Sequence, residues 1–190
     1  AESLFTATDL GFEGVKDPWL IEVGGIYHLF LSVAINTANT SDHSHDSLDI
    51  FNTGECVSAT ALATSTDLDR WDWQGVVLKP EGDTAWDKYC RRINSVLPLD
   101  GKYYAFYDGS AGHHENYEEK TGLAVSDDLK NWEVLSTDEP VVLSPHASSS
   151  LRYIDAQRLG DEIIFIYELT RANGAHEMRV ARFQVDGFSL

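Results

Sequence analysis

The sequence predicts an all-β fold of the β-propeller type, with about three four-stranded antiparallel blades in its 190 residues. Three observations predict it. Short β-rich stretches (DPWLIEV, GIYHLFLSVA, SATALATS and WQGVVLKP) are separated by Gly, Asp and Pro, and no amphipathic helical pattern competes with them. The stretch GGIYHLFLS returns as DGKYYAFYD and again as GDEIIFIYE. ALATSTDLDRW returns as GLAVSDDLKNW, sharing L, A, S, D, L and W, and more weakly as MRVARF. Copies that keep one order of strands mark a repeat architecture, and four strands per copy is the plan of a propeller blade. A generic β-sandwich with accidental similarity is the alternative. Six matches in an eleven-residue window weigh against it.

The blades are expected over about 15–80, 86–143 and 150–186, forming one propeller domain or part of one. Each begins with a leading strand, headed by Asp17-Pro18 in the first blade and starting near Arg92 in the second and near Tyr153 in the third, with Cys90 just before the second. A minimal turn follows (Gly24-Gly25, Asp100-Gly101, Gly160-Asp161), then a Tyr/Phe-rich strand. A long polar loop leads to the Ala-containing strand and to D-L-x-x-W. There Asp67 and Asp128 are placed to bond nearby backbone N–H groups, and Trp71 and Trp132 to cover blade edges.

Composition excludes several classes of function. The net charge of −17 argues against nucleic acid and against anionic lipid surfaces, both of which need clustered Lys and Arg. No apolar run approaches the length of a transmembrane helix, and AESLFTATDL does not read as a signal peptide. Cys56 and Cys90 belong to no CxxC pair, and placing both at one end of adjacent blades makes a disulfide between them an expectation. The run SDHSHDSLD, with Asp42, His43, His45 and Asp46, has the residue types of a metal site but reads more readily as a solvated loop; no metal and no cofactor are expected.

Asp-Pro heading a leading strand, followed by GGIYHLF and TSTDLDRW, resembles the first blade of the five-bladed propeller glycosidases of the arabinanase and β-xylosidase type, with the fructan-cleaving enzymes more distant. The resemblance implies a hydrolase acting on a carbohydrate. It implies Asp17 as general base and Asp155, in YIDAQ, as the Asp that tunes the acid, with Ala156 where the family usually has Pro. Asn94 and Ser95 stand where an Ala-Pro pair is common. Three blades make an incomplete five-bladed propeller. Either further blades lie outside these residues, the acidic Glu of the family among them, or the chain self-associates to cover its open flanks.

Topology gathers the candidates at one end. In an up-and-down blade, the head of the first strand and the loop between the second and third share an end. That end therefore takes Asp17, Arg91, Arg92, Asn94, Arg152 and Asp155, and the three long loops. Pro18 is expected to hold Asp17 extended; a plain turn-capping role is the alternative. Glycoside hydrolysis needs a carboxylate to activate water and a protonated carboxyl for the leaving oxygen. Glu168, aligned with Asp108 and Ser32 at the end of the aromatic strand, is the first candidate acid, with Glu118 and Glu119 behind it. Arg91, Arg92, Asn94, Arg152, His113 and Glu118 are candidate substrate-binding residues, and Trp19, Trp86, Tyr89 and Tyr117 candidate stacking faces, Trp19 reading more as core. A non-catalytic carbohydrate-binding propeller is one alternative. A phosphorylase, supported by the three arginines, is another.

Overall fold

A computed structural model describes residues 3–186, 188 and 190. Strands dominate, in the order the repeats predict. The first blade comprises β1 (Gly14–Val23), β2 (Ile26–Asn36), β3 (Cys56–Ser65) and β4 (Asp72–Leu78). The second comprises β5 (Cys90–Leu99), β6 (Lys102–Ser110), β7 (Lys120–Ser126) and the short β8 (Glu133–Val134). The third has β9 (Leu151–Leu159), β10 (Glu162–Thr170) and β11 (His176–Gln184), and no fourth strand among the described residues. The first two copies thus have the four strands expected, and the third repeat is the one whose later part matched only as MRVARF. Within a blade all neighbours are antiparallel. A one-turn helix, α1 (Ala7–Leu10), precedes the first blade, and no described helix is long and apolar enough to cross a membrane.

Single parallel bridges, Ser58↔Cys90 and Lys120↔Leu151, join each blade to the next. Repeated hydroxyl bonds strengthen these joints. Thr60 Oγ1 donates to Arg91 O (3.0 Å), and Thr121 Oγ1, its counterpart in the second blade, donates to Leu151 O (2.7 Å). Ser95 Oγ donates to Ile154 O (2.6 Å) and accepts from Ala156 N (3.0 Å), tying the leading strands of the second and third blades together. A buried hydroxyl with a partner on each side costs little.

The core lies between blades. Phe30, Leu62, Ile93, Val96 and Tyr107 fill the first interface, with Trp132 edge-on to Phe30 (6.1 Å). Leu97, Phe106, Leu123, Ile154, Ile163 and Phe165 fill the second. Trp19 packs on the first of these cores, as expected of it. The outer side of the first blade is covered near Trp73 by Phe5 and Phe12. The outer side of the third is bare, with Ile166, Met178 and Val180 exposed.

The D-L-x-x-W turns form as the sequence predicts. Asp67 Oδ1 accepts from Asp69 N (2.9 Å) and Arg70 N (2.8 Å); Asp128 Oδ1 accepts from Lys130 N (2.9 Å) and Asn131 N (2.7 Å). Leu68 and Leu129 take left-handed backbone at the same point of each turn. The expected disulfide is not present. Both cysteines are buried free thiols: Cys90 Sγ donates to Asp108 O (3.4 Å), while Cys56 Sγ lies 3.6 Å from Thr40 Oγ1.

Candidate functional site

The leading strand of every blade is bulged at the same place. Pairing runs Lys16↔Ser32 then Trp19↔Phe30 in the first blade, Ile93↔Tyr107 then Ser95↔Phe106 in the second, and Arg152↔Glu168 then Asp155↔Ile166 in the third. Such bulges re-aim side chains. Counting back from the hairpin pairs Val23↔Ile26, Leu99↔Lys102 and Leu159↔Glu162, the residues equivalent to Asp17 are Ile93 and Tyr153.

This register corrects two expectations. Asp155 is not the counterpart of Asp17: it matches Trp19, two residues nearer its hairpin, and accepts from Gln157 Nε2 (2.8 Å). The similarity of KDPW and YIDA follows residue identity and not distance from the turn. Asp17 is also not extended. Its φ is 52°, the left-handed region, which Asp and Asn tolerate better than most residues. Pro18 disfavours the right-handed helical region for its predecessor, and the bulge takes up the left-handed alternative. The Asp17 carboxylate is half exposed, 3.6 Å from Lys16 Nζ.

Behind this rim runs a chain of charges. Arg92 Nη2 reaches Glu119 Oε1 (2.5 Å) and Arg152 Nη1 reaches Glu119 Oε2 (2.7 Å). Arg152 then donates through Nε (2.8 Å) and Nη2 (2.7 Å) to Glu168 Oε1. His176 joins Glu168 (Nδ1, 3.5 Å) to Glu118 (Nε2, 3.2 Å), and Glu118 also accepts from Ser148 Oγ. The two guanidinium groups and Glu119 are almost wholly buried; Glu168 is more open, at 21% side-chain exposure. Burial alone would raise the Glu119 carboxyl, but the two arginines overcome it and hold its pKa below the ordinary value. Burial likewise works against the Arg92 charge, and Cys90, Glu119, Asp108 and Asp17 around it raise its pKa. Asp17 is thereby within electrostatic reach of this chain.

Asp108 sits in the same cluster and is fully buried. Its Oδ1 accepts from Asn94 Nδ2 (2.7 Å) and Tyr153 N (3.1 Å), while Oδ2 has no hydrogen-bond partner among the described residues. Burial pushes its carboxyl up to about 7. Arg92 opposes that rise and Glu119 adds to it.

Of the residues predicted for the site, Asp17, Arg92, Asn94, Arg152, Glu168, Glu118 and Glu119 come together at this end. Arg91 does not. It points to the other side of β5, where Nε and Nη2 grip buried Asp87 (2.8 and 3.0 Å). Adjacent strand residues face opposite ways, so Arg91 and Arg92 cannot serve one cluster. His113 packs edge-on to Tyr89 (6.4 Å) in the contact between the long loops of the first two blades, where Asn116 Nδ2 donates to Phe51 O (2.5 Å). Trp86 is stacked on Tyr107, and the Tyr89 hydroxyl donates to Phe51 O (2.8 Å), so both serve packing. Tyr117 is exposed on its loop. Asp42–Asp46 forms a short 3₁₀ turn, and no group of three or more potential metal ligands converges among the described residues. Sequence reasoning missed Tyr153; equal spacing from the hairpins would have aligned it with Asp17.

The bladed sheet is similar in fold to solved glycoside hydrolases of the propeller type. No family model and no curated protein sequence matches this chain, so the likeness is one of structure. A family 117 glycoside hydrolase from the marine bacterium Zobellia galactanivorans superposes on 89% of this chain at TM-score 0.66 and 15% identity, the match covering 52% of that protein. A GH32 β-fructofuranosidase of Bombyx mori matches 88% at TM-score 0.57 and 19% identity, over 33% of its own length. A β-1,2-mannobiose phosphorylase from Listeria innocua, solved with β-1,2-mannobiose, matches 89% at TM-score 0.57 and 12% identity, over 55% of its length. The chain thus spans between a third and about half of the structures it resembles.

Proposed function

We propose that this chain acts on carbohydrate as a glycoside hydrolase, with its site at the charged end of the blades. One observation carries the reading: Arg92, Glu119, Arg152 and Glu168 form one chain of ion pairs across the second and third blades, and Asp17 of the first blade acts electrostatically on its Arg92 end. Carboxyl groups from different blades can flank a scissile bond, which is what glycoside hydrolysis requires. Asp17, accessible on its bulge, takes the proton of the attacking water. Glu168 delivers a proton to the leaving oxygen. The tuning role expected of Asp155 passes to Arg152 and His176, because these are the groups that touch Glu168.

A second reading has its own support. Glu168 Oε1 already accepts twice from Arg152, an arrangement that suits a fixed structural carboxylate. On that view the chain binds sugar without cleaving it. The phosphorylase alternative loses its main argument, since the guanidinium groups of Arg91, Arg92 and Arg152 are each engaged by carboxylates.

The discriminating experiment incubates the protein with aryl glycosides and neutral oligosaccharides, with and without inorganic phosphate, and follows released phenol and reducing ends. Phosphate-independent release supports the hydrolase. Saturable binding with no release supports the binding module, and release only with phosphate supports the phosphorylase.

A further inference from the structure

Among the described residues, eight non-glycine positions have positive φ, and six of them lie in turns or loops. The other two, Asp17 and Tyr153, lie inside strands, at equivalent points of the first and third blades. A bulky residue in this region is strained, and it persists only where its surroundings over-determine it. The surroundings of Tyr153 do so. Its N–H donates to buried Asp108 Oδ1 (3.1 Å), and the next residue, Ile154, is clamped by Ser95. Its ring lies against the Arg152 guanidinium, 4.7 Å from centroid to Cζ. Arg152 is itself fixed by Glu119 and Glu168. The result is an aromatic side chain that is 43% exposed, held rigidly beside the charged chain.

Core packing does not explain this placement. Ile154 and Ala156 are buried in the core between the second and third blades, while Tyr153 turns away from it. A solvated tyrosine has no need of a strained backbone, a buried carboxyl on its amide and a cation against its ring. A platform does, because a rigid aromatic face loses little entropy when a flat apolar surface settles on it. The C–H face of a sugar ring is such a surface. The charge around the platform narrows the ligand further. Arg92 and Arg152 are both neutralised by Glu119 and Glu168, Lys16 faces Asp17, and Glu118 adds another carboxyl. Among the described residues, each cation of this cluster already has a carboxylate partner, which disfavours a carboxylate or a phosphate on the ligand.

We infer that Tyr153 is the stacking platform of the site, and that the sugar it receives is neutral, not a uronate and not a phosphorylated sugar. This rests on the carbohydrate reading above and deepens it.

The test is binding, read by calorimetry independently of turnover. The probes are neutral oligosaccharides of arabinose, xylose, mannose and fructose, alongside tetragalacturonate and glucose 6-phosphate. The inference expects a neutral sugar to bind and both anions to fail. Tyr153→Gly should weaken that binding about tenfold or more, the order of an aromatic contact, and Tyr153→Phe should retain it. Glycine suits φ 54°, so the Gly variant is not expected to lose stability by backbone strain, and an unchanged melting temperature separates lost binding from lost fold. Equal affinity for wild type and Tyr153→Gly would overturn the platform while leaving the carbohydrate reading intact. Preferred binding of either anion would overturn the neutral-ligand assignment. Binding of none of the sugars would overturn both the inference and the reading beneath it.

Discussion

Asp17 and Tyr153 occupy one register position in two blades, both with left-handed backbone, at φ 52° and 54°. Ile93, at the same position of the second blade, does not share it, so the conformation belongs to these two sites and not to the register as such. Asp and Asn accept it more readily than Ala, and Gly accepts it freely. Asp17→Gly and Asp17→Asn should keep the stability of the parent to within about 0.5 kcal/mol, and Asp17→Ala should fall below them by roughly 1 kcal/mol. Urea midpoints of the three variants check this; an order with Ala highest would contradict the strained register.

Glu119 is the hinge of the buried charge chain. Removing its charge leaves the Arg92 and Arg152 guanidinium groups facing each other without a shared counter-ion. Breaking a buried pair in this way costs about 3–5 kcal/mol. Glu119→Gln should lower stability by that order, measured by denaturant unfolding. The wild-type pair also loses strength in acid. The folded pKa of Glu119 is depressed, so its contribution is complete above the ordinary carboxyl range and is lost as pH falls through the lowered value.

Asp108 has the opposite sign. Burial raises it from 3.8 to about 7, so across that window the folded state holds a proton that the unfolded chain releases. Its contribution is full below about pH 4 and is lost as pH rises through about 7. Asparagine resembles the neutral acid and does not ionise. The stability of Asp108→Asn should therefore gain on wild type by on the order of a few kcal/mol between pH 4 and pH 8. A parallel pair of stability profiles over that range would show that Asp108 carries no such burden.

How much of this was legible in the sequence follows from the kind of signal involved. Thr60 and Thr121, and Asp67 and Asp128, do the same work in the first two blades because local hydrogen bonds repeat when the sequence repeats. The blade order and the end that gathers Asp17, Arg92, Arg152 and Glu168 were legible for that reason. The bulge was not. A bulge shifts register without changing residue type, so KDPW and YIDA align by eye although Asp155 matches Trp19 in register and not Asp17. Arg91 was assigned to the site against the alternation of its own strand, and its partner Asp87 lies in the preceding loop. The loop contact between Asn116 and Phe51 joins segments far apart in sequence and left no local pattern to read.

The central claim is that Asp17 is the base of a glycoside hydrolase, and turnover by Asp17→Asn tests it most directly. Asparagine fills the same volume and tolerates the same backbone, but it cannot take a proton from water. On any glycoside that the wild type cleaves, kcat should fall by roughly 10²–10⁴-fold, with substrate affinity and melting temperature little changed. Asp155→Asn, measured beside it, should lose far less, because the register places Asp155 away from the equivalent position. Near wild-type kcat for Asp17→Asn would contradict the account and return Asp17 to the role of a turn residue on a binding scaffold.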